Sequence, residues 1–237
     1  MCAKMTFGDL FAGIGGISLG LERAGMVCKW QVEIDPFCQK VLAKHWPSVP
    51  RYGDIREIDF GQVEPVDLIC GGPPCQPHSL AGQRRGAADD RNLWPEMCRA
   101  IEQLRPTWVI FENVPGIVTT ILDDVLFDLE GAGYAAGTLI IPACGVGAPH
   151  RRDRVWVVAY TDRPRLERLY HQRYGECVQL SESIRQEWEA EPRVDRVALG
   201  IPHRMERLRS LGNAVVPQVA EWLGRQIIKA SQVCGVD

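Results

Sequence analysis

The stretch VDLICGGPPCQPHS (residues 66–79) is an apolar run that stops at two glycines and two prolines and delivers a cysteine, Cys75. Thirty-seven residues further on, TWVIFENV (107–114) repeats the plan, with the carboxyl of Glu112 near the end of a second apolar run. Alone, a cysteine after an apolar run is ordinarily a buried small hydrophobe, and a lone glutamate at a strand end is ordinarily a cap or a surface group. Together they read differently. Two such runs in a parallel sheet emerge at the same edge, where a thiol in a rigid turn and a carboxyl can meet one electron-poor ring.

Outward from this pair the chain alternates β and α. MTFGDLF reads as a strand, then comes a Gly-rich turn and a helix over Ser18–Ala24. MVCKWQVEI is a second strand, followed by a helix in PFCQKVLAKHW with Pro36 in its first turn. A short strand or turn at Tyr52–Ile55 precedes VDLIC; a polar loop over 71–92 precedes a helix from about Leu93 to Leu104. TWVIFEN is a strand, GIVTTILDDVLFDLEGAG a helix with a Gly stop, and YAAGTLIIPA and RVWVVAY two further strands. The rhythm predicts a doubly wound α/β domain. From about Thr161 to Arg204 the pattern weakens, with one helix near Leu180–Ala190, and we read this segment as a small excursion. VVPQVAEWLGRQIIKASQV then resumes a helical apolar period, with Pro217 in its first turn, and is expected to pack back on the sheet.

Composition sets the bounds. The 237 residues are 46% hydrophobic and 24% charged, as in ordinary globular proteins. No run has the apolar length of a membrane span, and MCAKMTFGDLF has no signal-peptide pattern. Nine cysteines without such a signal suggest a reducing cytosol, and without C-x-x-C pairs or zinc spacing no metal is expected. The net charge of −3 hides a split: residues 1–144 carry 12 Lys+Arg against 18 Asp+Glu, and residues 145–237 carry 15 against 12. Arg151, Arg152, Arg154, Arg163, Arg165 and Arg168 cluster, which suits phosphate contact. With Asp153, Asp162 and Glu167 interleaved, the same cluster reads equally as a solvated surface laced with ion pairs.

The first Gly-rich turn, DLFAGIGGISLG, places Gly13, Gly15 and Gly16 between strand and helix. A dinucleotide fingerprint needs a third glycine where Ser18 stands, so a nucleoside-type ligand without phosphates fits better. Glu33, at the end of the next strand, stands where a ribose diol would lie. A plain tight turn is the competing reading.

In order, FAGIGG, Glu33, GDI (53–55), GGPPCQ, FENV, HRRDRVW and GNAVVP resemble the motif series of the DNA (cytosine-5)-methyltransferases, most of all small phage- and prophage-type bacterial members. The resemblance covers residues 6–160 and resumes at about 194–220. It implies a mostly parallel, Rossmann-like methyltransferase sheet over 1–160, a reduced target-recognition lobe over 161–204 and a C-terminal segment over 205–237. It implies S-adenosyl-L-methionine as cofactor, with Phe11, Gly13, Gly15 and Gly16 shaping its pocket, Glu33 on the ribose, and Ile34, Asp54 and Ile55 near the adenine. Gly72, Pro74 and Leu93 would line the methionine end, and Asn213 with Ala214 would close the pocket. Cys75 would be the nucleophile, Glu112 would hold the cytosine, and Arg152 and Arg154 would hold the base and a nearby phosphate. In the loop after the nucleophile, Gln76, Ser79, Arg84 and Arg85 would meet double-stranded DNA, with Arg163 and Arg165 beyond it. The expected setting is the cytoplasm of a bacterial or phage-infected cell, with a monomer as the default and a cognate restriction endonuclease as a companion.

The chemistry calls for these residue types. Cytosine C5 is a poor nucleophile until a thiolate adds to C6 and an acid serves N3, which makes C5 enamine-like. The base must first leave the duplex stack, at a cost of a few kcal/mol. Three positions depart from the family pattern: His150 replaces a common Gln, Ala214 a frequent Ser, and Ile34 an aromatic stacker. The segment Thr161–Arg204 is short for the main reader of base edges, so readout of roughly two base pairs is expected. The alternatives are an RNA cytosine-5 methyltransferase, whose extra Cys-Phe-Thr signature is absent, and a catalytically silent DNA-binding module.

Overall fold

The computed structural model describes residues 4–74, 92–161 and 204–232. Seven strands form one sheet in the order β3-β2-β1-β4-β5-β7-β6: β1 Thr6–Leu10, β2 Val27–Val32, β3 Arg51–Tyr52, β4 Leu68–Gly71, β5 Trp108–Asn113, β6 Ala135–Pro142 and β7 Asp153–Tyr160. The four pairings among β1–β5 are parallel, whereas β7 lies antiparallel between β5 and β6. About ten residues join β6 to β7, fewer than a parallel crossover needs, so the chain must turn back. The expected doubly wound, mostly parallel α/β sheet is present.

The helices are α1 (Gly16–Ala24), α2 (Pro36–His45), α3 (Trp94–Leu104), α4 (Leu122–Gly131), α5 (Arg204–Asn213) and α6 (Pro217–Gln232), of which α1, α3, α4 and α6 pack on the sheet. One face buries Leu10, Ile69, Val109, Phe111, Val155 and Val157 with Met97 and Ile101 of α3 and Val125 and Leu129 of α4. The other buries Phe7, Leu68, Cys70, Ile110 and Trp156 with Ile17 and Leu21 of α1 and Leu223 and Ile227 of α6. β4 and β5 are buried throughout, as strands covered on both faces must be. This explains their continuous apolar runs.

Helices α1 and α6 touch backbone to backbone. A Cβ on Gly20 would lie 2.3 Å from the Pro217 carbonyl oxygen, and one on Gly224 would lie 2.9 Å from the Ala24 Cβ. This close seam fixes the C-terminal helix against the helix that follows the first Gly-rich turn.

Two local readings need correction. The segment 116–133, read as one helix, is a 3-10 turn at Pro115–Thr119 followed by α4. The Thr119 and Thr120 hydroxyls both donate to the Gly116 carbonyl, a local bond that competes with α-helical continuation. Helix α5 was not anticipated, because Met205 and Leu211 on it remain exposed and give little amphipathic signal. The helix expected near 180–190 lies outside the described residues.

Candidate active site at the carboxyl edge of the sheet

The C-terminal ends of β1, β2, β4 and β5 and the N-terminal end of β7 share one edge, at or near which lie those predicted residues that the structure describes. The chain leaves β1 through Phe11, whose φ of 57° is left-handed, and Gly13 and Gly15 are also left-handed, at φ 56° and 86°. Gly15 is needed for contact as well, since a Cβ there would lie 2.5 Å from the Trp46 ring. Gly13 faces open space. The Glu33 carboxylate bridges this turn to the next strand: Oε2 accepts from the Gly13 N–H (2.6 Å) and Oε1 from the Asp35 N–H (2.8 Å).

Beneath the turn lies a buried polar trio that the sequence reading missed. Asp9 accepts from both the N–H and the hydroxyl of Ser18 (3.2 and 2.6 Å), and Gln31 Nε2 donates to the same hydroxyl (3.0 Å). Ser18 therefore does at this position what a third glycine could not: it ties the start of α1 to β1. Burial pushes the Asp9 carboxyl up to about 7 against the pull of its Ser18 hydrogen bonds. An aspartate inside the apolar run TFGDLF was the available signal.

β3 pairs with β2, and the Glu33 N–H donates to the Tyr52 carbonyl (3.1 Å), so Gly53–Asp54 lies beside Glu33 and Ile34. Ile34 is 60% exposed, an apolar side chain left at the edge with no core to enter. Asp54 caps the following 3-10 turn and is held ionised by Arg56, which pulls its carboxyl below the usual range. The Ile55 side chain is buried in the core, and its carbonyl accepts from Arg99 (2.7 Å). Leu93 is half-buried at the N-terminal end of α3.

The chemical half of the edge centres on Glu112. This carboxyl is 7% exposed, and burial drives it up to about 7 despite Arg154 and Arg152, which both draw it down. Arg154 Nε lies 3.0 Å from Oε1 in an ion pair. Apart from this ion pair, Oε1 is a buried oxygen with no further partner among the described residues. Gly72 packs directly on the same carboxyl: a Cβ there would lie 2.8 Å from Oε2. Next along β5, Asn113 Nδ2 donates to the Pro73 carbonyl (2.9 Å) while its Oδ1 accepts from the Val114 N–H (2.9 Å). Asn113, also missed by the sequence reading, therefore fixes the turn that ends at Pro74 and leads to Cys75.

Arg152 stands at φ 34° just before β7, and its Nη2 donates to the carbonyls of Gly212 (2.6 Å) and Ala214 (2.7 Å). Asn213 is exposed and Ala214 half-buried at the end of α5. Cys75, Gln76, Ser79, Arg84, Arg85, Arg163 and Arg165, and the region read as a reduced recognition lobe, lie outside the described residues. Among the described residues no group of three or more His, Cys, Asp or Glu could hold a metal ion, and no helix is long and apolar enough to cross a membrane.

Known proteins resemble this chain in sequence and fold. A family model described as C-5 cytosine-specific DNA methylase matches residues 5–196. The Type II methylase M.HgiEI of Herpetosiphon aurantiacus is 35% identical over 184 residues, 74% of this chain and 42% of that protein. The Type II methyltransferase M.AluI of Cellulosimicrobium cellulans is 35% identical over 195 residues, covering 73% and 37%. The chain spans about two fifths of the length of the curated relatives it matches. Among solved structures, an E. coli prophage-encoded protein described as a DNA modification methyltransferase superposes with a TM-score of 0.56 at 30% identity, over 66% of this chain and 47% of that one. The S. pombe Dnmt2 methyltransferase, at 21% identity and a TM-score of 0.57 over 66% and 51%, shares the fold.

Proposed function

The chain belongs to the C-5 cytosine-specific DNA methylase family, and from that premise we propose that it is a DNA (cytosine-5)-methyltransferase that uses S-adenosyl-L-methionine. The observation that carries the reading is Glu112: a buried carboxyl at the sheet edge, raised to about 7, with Oε1 paired to Arg154 and Gly72, in the turn that leads to Cys75, packed against Oε2. Such a group holds a proton near neutrality and can share it with a ring nitrogen.

The residues that would hold the cofactor fit it. Gly13 faces open space where a Cβ would intrude, Glu33 supplies a carboxylate already fixed at two points, and exposed Ile34 offers an apolar face beside Asp54. When bound there, the cofactor supplies an electrophilic methyl group for C5.

The chain's own residues do the rest. Cys75, delivered by the turn that Asn113 pins, adds as thiolate to C6 of a cytosine extruded from the duplex. Glu112 gives its proton to N3, so that the addition yields a neutral enamine with C5 as its nucleophilic carbon rather than an anion spread onto N3. Arg154 keeps Glu112 oriented and sets how readily it gives up its proton. After methylation the N3 proton returns to Glu112, water takes the C5 proton, and expulsion of the Cys75 thiolate restores the aromatic ring.

Double-stranded DNA is the substrate, a bacterial or phage-infected cytoplasm is the setting, and a cognate endonuclease is a natural companion, given that the relatives named above include Type II methyltransferases. Bisulfite sequencing of plasmid DNA from cells expressing the chain, beside a Cys75→Ala control, tests the proposal. Protected cytosines that vanish in the control support it. Soluble protein that binds the cofactor but protects no cytosine, and labels tRNA instead, overturns it.

A further inference from the structure

Arg152 was expected on the base and phosphate, yet its guanidinium is engaged elsewhere. Nη2 donates to two carbonyls of one short segment, Gly212 and Ala214, on either side of Asn213. The next residue touches α1: a Cβ on Gly16 would lie 2.6 Å from the Val215 carbonyl oxygen and 3.2 Å from its nitrogen. The segment thus runs between the helix of the first Gly-rich turn and the start of β7. Arg152 also adopts φ 34°, a left-handed backbone that a side chain-bearing residue takes only when its surroundings hold it there. Two residues further on, Arg154 makes the ion pair with Glu112.

We infer that Arg152 is a positioning residue, a brace that holds Gly212–Ala214 against α1 and so joins the wall of the cofactor pocket to β7, the strand whose Arg154 pairs with Glu112. Its geometry suits that role: a planar fork reaches two carbonyls at once and stays charged at any working pH. Through the brace, loss of Arg152 acts first on cofactor binding, whereas a phosphate contact would act on DNA binding. The effect on the cofactor rests on the proposed reading of the Gly13 edge; the brace itself does not.

The test compares Arg152→Ala, Arg152→Lys and Arg151→Ala, the last removing an equal charge from an exposed neighbour paired with Asp153. Hydrogen exchange of the ligand-free proteins reads the brace directly. Arg152→Ala is expected to speed exchange at amides 213–216 by about tenfold or more, the effect of losing two charge-assisted hydrogen bonds. Arg152→Lys, whose ammonium can also serve two carbonyls, restores protection to within about threefold, and Arg151→Ala leaves it unchanged. S-adenosylhomocysteine binding, by calorimetry, is expected to weaken about tenfold in Arg152→Ala, while the salt dependence of DNA binding keeps its slope. Unchanged exchange in Arg152→Ala overturns the inference, and a salt slope reduced by about one unit without faster exchange assigns Arg152 to a phosphate instead. Faster exchange in a protein whose wild type does not bind S-adenosylhomocysteine supports the brace and removes the cofactor reading.

Discussion

Asn113 and Pro73 are joined across the edge of the sheet, the amide of one donating to the carbonyl of the other at 2.9 Å in a buried position. Because β4 and β5 are adjacent and parallel, residues just past their ends fall side by side. This one bond ties the strand that carries Glu112 to the turn that delivers Cys75. Asn113→Ala leaves the Pro73 carbonyl unsatisfied, at a cost of about 1–3 kcal/mol, and frees the turn. The expected outcome is a kcat reduced by more than about tenfold with the cofactor KM little changed, read from steady-state methyl transfer.

Glu112 sets a pH limb. Its active form is protonated, and with the carboxyl raised to about 7 the rate is expected to fall as pH rises through that value. Arg154 draws the carboxyl down, so in Arg154→Ala the limb moves to higher pH. Glu112→Gln lacks a transferable proton and is expected to lose about a hundredfold or more in kcat and to lose the limb. A pH profile of kcat/KM for the three proteins checks all three statements.

Asp9 makes stability depend on pH without touching the reaction. Its folded carboxyl, at about 7 against 3.8, keeps a proton that the unfolded chain has released. Between these values the native state binds more protons, so its stability falls as pH rises and levels off above about 7. Asp9→Asn keeps an oxygen for Ser18 and carries no charge. It is expected to flatten this slope and to exceed wild type above pH 7 by on the order of 3 kcal/mol. Thermal or urea unfolding from pH 4 to 8 measures it.

Two glycines of one turn and helix should respond for different reasons. Gly20→Ala forces a Cβ to 2.3 Å from the Pro217 carbonyl oxygen and should cost about 1–3 kcal/mol of stability, since α1 and α6 must part. Gly13→Ala meets nothing in the protein, although its φ of 56° makes the substitution strained. It is expected to cost about 1 kcal/mol of stability and to weaken cofactor binding more than that. Urea melts beside calorimetric titration separate the two variants.

Much of this was legible in the chain itself. The apolar runs of β4 and β5 announced buried parallel strands because a strand covered on both faces has no polar side to alternate. The Gly/Pro stops placed the turn at Pro73 and Pro74 beside Glu112 at a common edge because parallel strands end together. The tertiary structure decided what pattern cannot carry: that Ser18 ties down a buried Asp9, that Asn113 rather than the prolines alone fixes the turn, and that Arg152 faces the Gly212 and Ala214 carbonyls. It also broke the 116–133 helix at two threonines and built α5 where the apolar signal was weak. Periodicity records which face of an element meets the core. Which donor meets which acceptor across forty or sixty residues of separation is set only when the sheet edge brings them within 3 Å.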